Sequence, residues 1–581
     1  MTRIPLLTAA LFSIFCSAAT NERPPGSKHS KPNIVLILAD DLGISDLGAY
    51  AERWTGTSPE KQFYETPAID TLIQNGTAFS QAYACPLCSP TRSSILTGKY
   101  AARIGFQTAT GGRAQSWYNQ NKTPPKGYLS QDAVFWLDNI PTEQAVWNGT
   151  TLLALPTESN GPAERDVTTI AELLNANGYR SAFVGKWHVG GHGSQGSTPK
   201  DNGFEEIAWC DAGGSLYFNW EKSWNRKKLI YPTMPQEELF IGKSEPVEPS
   251  VYLTDYLTDE SVELMEAHFA RESPEPLFLY LCHFAMHAPL QAKQEDIHYF
   301  EEKDTLGWNG HRHSSYAAML RSLDQSIAKI VSTLKKAGQL DNTWIIFMSD
   351  NGGVTWPLNQ RTKDPTSIAT SNAPFLGGKA MVFEGGIRVP LFIYHASKSK
   401  HGWIDRPVDC NDILPTIADL AGVSLKNSDL DGQSLGEFLS DETESFPYSR
   451  ERFFWHYPFN VKVHHPLDHL PLTPHSAIRA GDYKLIYDWS GRLWLFDLEN
   501  DPSEKNNLVE VEPELTQQLF RELNEWLSEN VADRYLPTLN PDYDPEKDTR
   551  DYPFVDLRNE YLGSSFAIQP RPNYFNTIEY P

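Results

Sequence analysis

Four stretches of the chain share one pattern, a continuous apolar run that stops abruptly at polar residues. Asn33–Leu38 (NIVLIL) runs into Ala39-Asp40-Asp41, and Arg180–Val184 into Gly185-Lys186-Trp187-His188. Pro276–Leu281 runs into Cys282-His283-Phe284-Ala285-Met286-His287, and Trp344–Met348 into Ser349-Asp350-Asn351. Runs without polar alternation are strands buried on both faces, as in a parallel sheet. Helical patterns lie between them. The clearest is Tyr316 to Leu334, where Leu320, Leu323, Ile327, Ile330 and Leu334 repeat at helical spacing before Gly338. Alternating helices and apolar strands predict an α/β fold, a large mixed but mostly parallel sheet sandwiched by helices. The polar endings then gather at the carboxyl edge of the sheet, where open α/β sheets bind their ligands.

The pattern changes toward the end of the chain. Residues 440–450 read as a boundary, which divides a main domain (32–445) from a smaller C-terminal α+β subdomain with an extended tail (446–581). In the subdomain, Tyr483–Tyr487 and Leu493–Phe496 flank a turn at Ser490-Gly491 and predict an antiparallel hairpin. Pro513–Val531 is an amphipathic helix, and the tail after Leu536 is expected to wrap without regular structure. A helix is expected at about Thr66–Gly76 and a capped one at Asp412–Gly422. Two aromatic-rich inserts, 107–152 and 210–250, are either anchored on the body by their rings or present them for carbohydrate stacking. His456, His464, His465, His469 and His475 crowd a Pro-rich segment expected at the mouth of the site. Their spacing matches no zinc pattern.

Met1–Ala19 has a basic residue, an apolar core too short to span a bilayer, and small residues at its end. It reads as a signal peptide, followed by a polar tether (20–31), and predicts an exported protein, periplasmic or secreted. No later segment reaches spanning length, so no membrane span is expected. The net charge of −24 argues against a nucleic-acid partner. Any anion must therefore be met by positive groups concentrated in the site.

Those groups surround one segment, Cys88-Ser-Pro-Thr-Arg92-Ser-Ser-Ile-Leu-Thr-Gly98. Ser89 as N-cap and Pro90 at the first helical position start a helix and place Cys88 at its mouth, where free N–H groups favour an anion. Cys85 and Cys88 also form a C-x-x-C pair, but no second Cys/His pair follows at zinc-finger spacing.

This segment resembles the modification motif of the formylglycine-dependent sulfatases, members of the alkaline-phosphatase superfamily. The resemblance extends from Pro32 to about Leu508 through Asp40-Asp41, Gly185–His188, His287-Ala-Pro289, Asp350–Gly353, Gly378-Lys379 through Pro390, Leu495–Leu498 and Asp501–Glu504. It implies an alkaline-phosphatase-like catalytic domain in which Cys88 is converted to formylglycine by a formylglycine-generating or anaerobic sulfatase-maturating enzyme. It also implies that Asp40, Asp41, Asp350, Asn351 and the modified Cys88 hold Ca2+, with Mg2+ the lesser candidate, since hard oxygen ligands suit such ions. The resemblance makes His188 the base, puts His287 and Lys379 on the sulfate with one of them protonating the leaving oxygen, and has Arg92 and Lys186 brace the nucleophile. His283 is expected to be structural. The expected substrate is a sulfated carbohydrate. A phosphoesterase of the same superfamily, an arylsulfatase and a non-catalytic binder of sulfated glycans remain alternatives.

Overall fold

The computed structural model describes residues 31–570, except 110–113, 117–123, 125, 130–131, 136–141, 157–166, 192–196, 225–247, 306, 308–310, 358–367, 426–428, 440–446, 460, 465–470, 473, 549 and 551. The expected leader and most of the tether lie outside the described residues, as do Trp117, Tyr118, Trp136, Tyr231, His465 and His469.

The strands are β1 (Asn33–Ala39), β2 (Thr77–Tyr83), β3 (Arg180–Lys186), β4 (Glu205–Cys210), β5 (Leu277–Cys282), β6 (Thr343–Ser349), β7 (Arg388–Tyr394), β8 (Gly402–Ile404) and β9 (Val408–Asp409). Together they form a nine-stranded sheet in the order β8-β2-β7-β6-β1-β5-β3-β4, with β9 also pairing β2. Every pairing is parallel except those of β7 with β6 and with β2.

The main helices are α1 (Pro67–Gln74), α2 (Cys88–Thr97), α3 (Ile170–Asn175), α4 (Leu253–Phe269), α5 (Ser314–Lys336), α6 (Glu384–Ile387) and α7 (Ile413–Leu420). All seven residues of β1 are buried, and its alternate side chains feed two cores. Ile34, Leu36 and Leu38 pack with residues of α2, α3 and α7, whereas Val35, Ile37 and Ala39 pack with residues of α1, α4 and α5. The unbroken apolar runs are thus the signature of a sheet covered on both sides.

The C-terminal part carries a four-stranded antiparallel sheet, β10 (Arg452–Tyr457), β11 (His475–Ala480), β12 (Tyr483–Asp488) and β13 (Arg492–Asp497), backed by α8 (Pro513–Asn530). The expected hairpin is β12–β13. The tail departs from expectation, for Thr538–Leu539 pairs with Val146–Trp147 of the first insert, and α9 (Leu557–Leu562) follows. His456 and His475 are strand residues rather than loop residues. His456 is buried between Ser476 Oγ (2.7 Å) and Tyr535 O (3.2 Å), and His475 Nε2 accepts from Val382 N at 3.2 Å. In the inserts, Trp147, Tyr217, Trp220 and Trp224 are all buried. These rings anchor the inserts on the body. Among the described residues no helix is long and apolar enough to cross a membrane.

Candidate active site

The pairing register builds the site. Ala39 lies opposite Ser349, so Asp40 and Asp350 are the next residues on two adjacent parallel strands, about 5 Å apart by strand spacing. Leu38 lies opposite Cys282, which brings the Phe284–His287 turn alongside Asp40. β3 pairs with β5 and delivers Lys186 and His188 to the same edge. Helix α2 is pinned over this edge by Thr91 Oγ1, which donates to Asp350 O at 2.6 Å.

Helix α2 begins at Cys88, with Leu87 at the N-cap, two residues earlier than a Ser89 cap requires. The nucleophile position is therefore the first residue of the helix, next to its unpaired N–H groups. All ten residues of α2 are buried, not one face alone. Its polar composition permits this because the hydroxyls turn inward, Ser93 Oγ donating to Pro90 O and Thr97 Oγ1 to Ser93 O, both at 2.7 Å.

Three acid–base pairs converge beneath Cys88. Lys186 Nζ lies 2.6 Å from Asp40 Oδ2, and Lys379 Nζ lies 2.6 Å from Asp41 Oδ1. Arg92 donates through Nε (3.1 Å) and Nη2 (2.7 Å) to Asp350 Oδ2, and through Nη1 to Lys186 O at 2.6 Å. The Arg92 fork thus braces a carboxylate and a strand end. Asn351 Nδ2 donates to Asp41 Oδ1 at 2.8 Å, and Asp41 N donates to Asp350 Oδ1 at 3.2 Å. His287 Nε2 stands 3.7 Å from Asp41 Oδ2. Its Nδ1 is 2.7 Å from Ala288 O, which fixes the proton on Nδ1 and points Nε2 into the site. Asp40, Asp350 and Cys88 are at most 1% exposed, whereas the His287 side chain is 25% exposed. The carboxylates form the floor, and His287 and Lys379 stand at the mouth.

Burial governs the protonation of these groups. It pushes Asp40 up to about 8, against the pull of Lys186. Asp41 is buried as well, but Lys379 and His287 outweigh the burial and hold it well below the usual carboxylate range. Burial and the neighbouring Lys379 lower His287 to about 4. Burial also raises the Cys88 thiol, so the unmodified side chain is protonated at neutral pH and is a weak nucleophile.

Asp41, His188 and Ala380 all adopt left-handed backbone with φ of 59°, 56° and 69°. Such conformations cost non-glycine residues roughly 1 kcal/mol or more, and they concentrate where surrounding structure dictates the geometry. The glycines around Lys379 have a visible purpose. A Cβ on Gly378 would fall 2.6 Å from Gly353 O, so the Lys379 loop closes directly on the segment that follows Asp350 and Asn351.

One Asp40, Cys88 and Asp350 ligand atom each lie within 4.8 Å of one another. Asp40 Oδ1 and Asn351 Oδ1 are buried without a hydrogen-bond partner. Orphaned oxygens at 0% exposure are costly unless a cation or proton occupies the space between them. The donors are hard oxygens apart from the Cys88 sulfur, so an oxygen-bearing side chain at position 88 would complete a set suited to a hard divalent cation.

The structure brings Cys88, Arg92, Lys186, Lys379, His287 and the four expected metal ligands Asp40, Asp41, Asp350 and Asn351 together, and His188 follows the end of β3 with its ring against Gly213. His283 lies apart, buried with Nε2 3.0 Å from Ser326 Oγ. Two contributors escaped the sequence reading. Asn372 Nδ2 donates to Gly353 O (3.0 Å) and Gly377 O (3.1 Å), which joins the Asp350 and Lys379 loops. β4 also ends at the site, through Asp211-Ala212-Gly213-Gly214. Its signal was the apolar Ile207–Cys210 run, whose polar, glycine-rich ending falls at the start of what reads as the second insert.

A doubly covered α/β sheet with cations and imidazoles converging on a helix-start nucleophile defines a hydrolase of anionic esters. A family model described as Sulfatase matches residues 32–131 and 139–423, and one described as N-sulphoglucosamine sulphohydrolase, C-terminal, matches 376–533. The "Sulfatase" of Formosa agariphila is 26% identical over 92% of this chain and 94% of its own length. The N-acetylgalactosamine-6-sulfatase of Rattus norvegicus is 30% identical over 68% of this chain and 62% of its own. Among solved structures, "Ps i-CgsB in complex with k-i-k-neocarrahexaose" aligns with a TM-score of 0.64 at 28% identity, covering 87% of this chain and 95% of that one. The chain belongs to the sulfatase family and is a sulfuric ester hydrolase.

Proposed function

We propose that this sulfatase is exported and removes sulfate from a sulfated carbohydrate, using Cys88 converted to formylglycine and a calcium ion held by Asp40, Asp41, Asp350 and Asn351. The observation that carries the reading is the pair of orphaned buried oxygens, Asp40 Oδ1 and Asn351 Oδ1, beside a thiol that is itself held protonated. Calcium and the aldehyde hydrate would supply a polarised sulfate oxygen and an acidified hydroxyl nucleophile where the native thiol has neither.

The chain's own residues do the rest. Lys186 and Lys379 neutralise charge on the carboxylate floor, Lys186 bracing the nucleophile and Lys379 with His287 receiving the sulfate oxygens. His287 Nε2, aimed inward by the Nδ1 bond to Ala288 O, is placed to exchange a proton with the departing oxygen, and Lys379 stands beside it. His188, buried at the end of β3, is the base. Arg92 holds Asp350 in place through its Nε and Nη2 contacts to Oδ2. The carbohydrate assignment is supported by the carbohydrate in the Ps i-CgsB complex and by the amino sugar named in the rat relative.

The test is sulfate release from defined sulfated oligosaccharides by protein co-expressed with a formylglycine-generating enzyme, with aryl sulfate and aryl phosphate alongside. Release from at least one oligosaccharide is expected. Hydrolysis of the aryl sulfate alone overturns the carbohydrate reading, and hydrolysis of the phosphate alone overturns the sulfatase mechanism. Export is tested by sequencing the amino terminus of the native protein, which is expected to begin after Ala19.

A further inference from the structure

The edges of both site imidazoles rest against main chain that has no side chain to offer. A Cβ placed on Gly213 would lie 2.7 Å from His188 Nε2 and 2.8 Å from its Cε1. One placed on Gly214 would lie 2.8 Å from both Cε1 and Nδ1 of His287. Real Cβ contacts do not come this close, so each ring occupies the volume a side chain would need. Neither glycine has the positive φ that would demand glycine for conformation. The requirement at these two positions is space.

The same segment is fastened at both ends to the chain that carries the rings. Upstream, Cys210 O accepts from Trp187 N at 2.9 Å, the residue just before His188. Downstream, the fully buried Tyr217 places its hydroxyl 2.6 Å from Phe284 O and 2.9 Å from His287 O, donating between the two carbonyls of the His287 turn. Tyr217 is itself held, its N–H donating to Gln291 Oε1 at 2.9 Å and its carbonyl accepting from Leu253 N at 2.9 Å. Ser215 Oγ accepts from Trp224 Nε1 at 2.8 Å. A rigid span thus runs from the strand beside His188 to the turn of His287.

We propose that Gly213–Tyr217 is the positioning element of the two imidazoles, Gly213 setting the ring of His188 and Gly214 with Tyr217 setting that of His287. These are positioning residues that act through the histidines. The proposal deepens the sulfatase reading, and the predicted effects on turnover rest on it. A methyl group at either glycine displaces its ring by several tenths of an ångström, and misplacements of this order cost on the order of ten- to a hundredfold in rate.

The experiment compares full-length Gly213→Ala, Gly214→Ala and Tyr217→Phe with the parent by two readouts. In crystals of protein expressed without maturation, Gly213→Ala is expected to displace the His188 ring and leave His287 in place, and Gly214→Ala to do the reverse. In matured enzyme, sulfate release is compared between 4-nitrophenyl sulfate and a sugar sulfate. Gly214→Ala is expected to reduce sugar-sulfate kcat about tenfold more than aryl-sulfate kcat, because a poor leaving group depends most on protonation. Tyr217→Phe, isosteric and therefore compatible with the fold, shows the same bias at smaller size. Gly213→Ala lowers both substrates in equal proportion. Unmoved rings, or the same substrate ratio in all three variants as in the parent, overturn the proposal. A parent that releases no sulfate overturns the functional reading instead, and the ring positions still decide this one.

Discussion

Replacing Arg92 by Met tests whether the floor of the site is an ion-paired unit. Arg92 is 1% exposed and Asp350 0%, and the guanidinium makes two contacts to Asp350 Oδ2 and a third to Lys186 O. Met fills most of the same volume, so the substitution removes the charge and the donors with little cavity. Leaving one member of a buried pair uncompensated costs about 3–5 kcal/mol. The orphaned Lys186 carbonyl adds roughly 1–3 kcal/mol. The expected loss is therefore about 4–8 kcal/mol, a large share of the ~5–15 kcal/mol by which domains are stable. Urea unfolding followed by tryptophan fluorescence in calcium-free buffer measures it. If Arg92 acts through Asp350, the double variant Arg92→Met/Asp350→Asn recovers part of the loss, since no unpaired carboxylate is left behind. A single-variant loss below about 1 kcal/mol, or a double variant whose losses simply add, would refute the reasoning.

Three further outcomes follow from the structure. Lys484 bridges Glu384 (2.8 Å) and Glu504 (2.7 Å) at 0% exposure, which ties the C-terminal sheet to α6 beside the Lys379 loop. Lys484→Met is expected to cost about 3–5 kcal/mol in urea unfolding, and a cost under ~1 kcal/mol contradicts the pairing. His456 is lowered by burial to about 3, so its contribution is complete above the unfolded value of 6.5 and is lost as pH falls toward 3. Between pH 6.5 and 5 it accounts for roughly 2 kcal/mol of lost stability, and His456→Gln flattens the unfolding profile over that range by this amount. With the proposed calcium site, calcium at a hundred times its dissociation constant is expected to raise the parent's stability by about 2.7 kcal/mol. Asp350→Ala abolishes that increment in thermal melts, whereas an equal increment in both proteins places the ion elsewhere.

Much of the fold was legible because a sheet buried on both faces leaves little freedom in sequence. Asn33–Leu38 and Trp344–Met348 admit only apolar residues, and each run stops where the strand leaves the core. The site was legible for the same reason, since Asp40, His188, His287 and Asp350 sit where these runs end. What the pattern concealed was context. Helix α2 reads as polar because its hydroxyls satisfy their own backbone carbonyls, so a fully buried helix looks like a half-exposed one. The rings of the second insert read equally as anchors or as a recognition surface, and Tyr217, Trp220 and Trp224 are packed inward as anchors. Composition cannot tell an anchoring ring from a binding one. β4 was missed because its pairing with β3 and its contact with the imidazoles depend on tertiary register, not on local periodicity. The tail helix Leu557–Leu562 is short, with Asn559, Glu560 and Tyr561 exposed, and it carries too little periodicity to be seen.

The central claim is that the reaction belongs to a modified Cys88 and not to its thiol. The direct measurement is sulfate release, by ion chromatography, from matched preparations expressed with and without a formylglycine-generating enzyme, each checked by mass spectrometry of the Cys88 peptide. The account predicts release in proportion to the aldehyde fraction and none from the thiol form. Equal release from both preparations would contradict it.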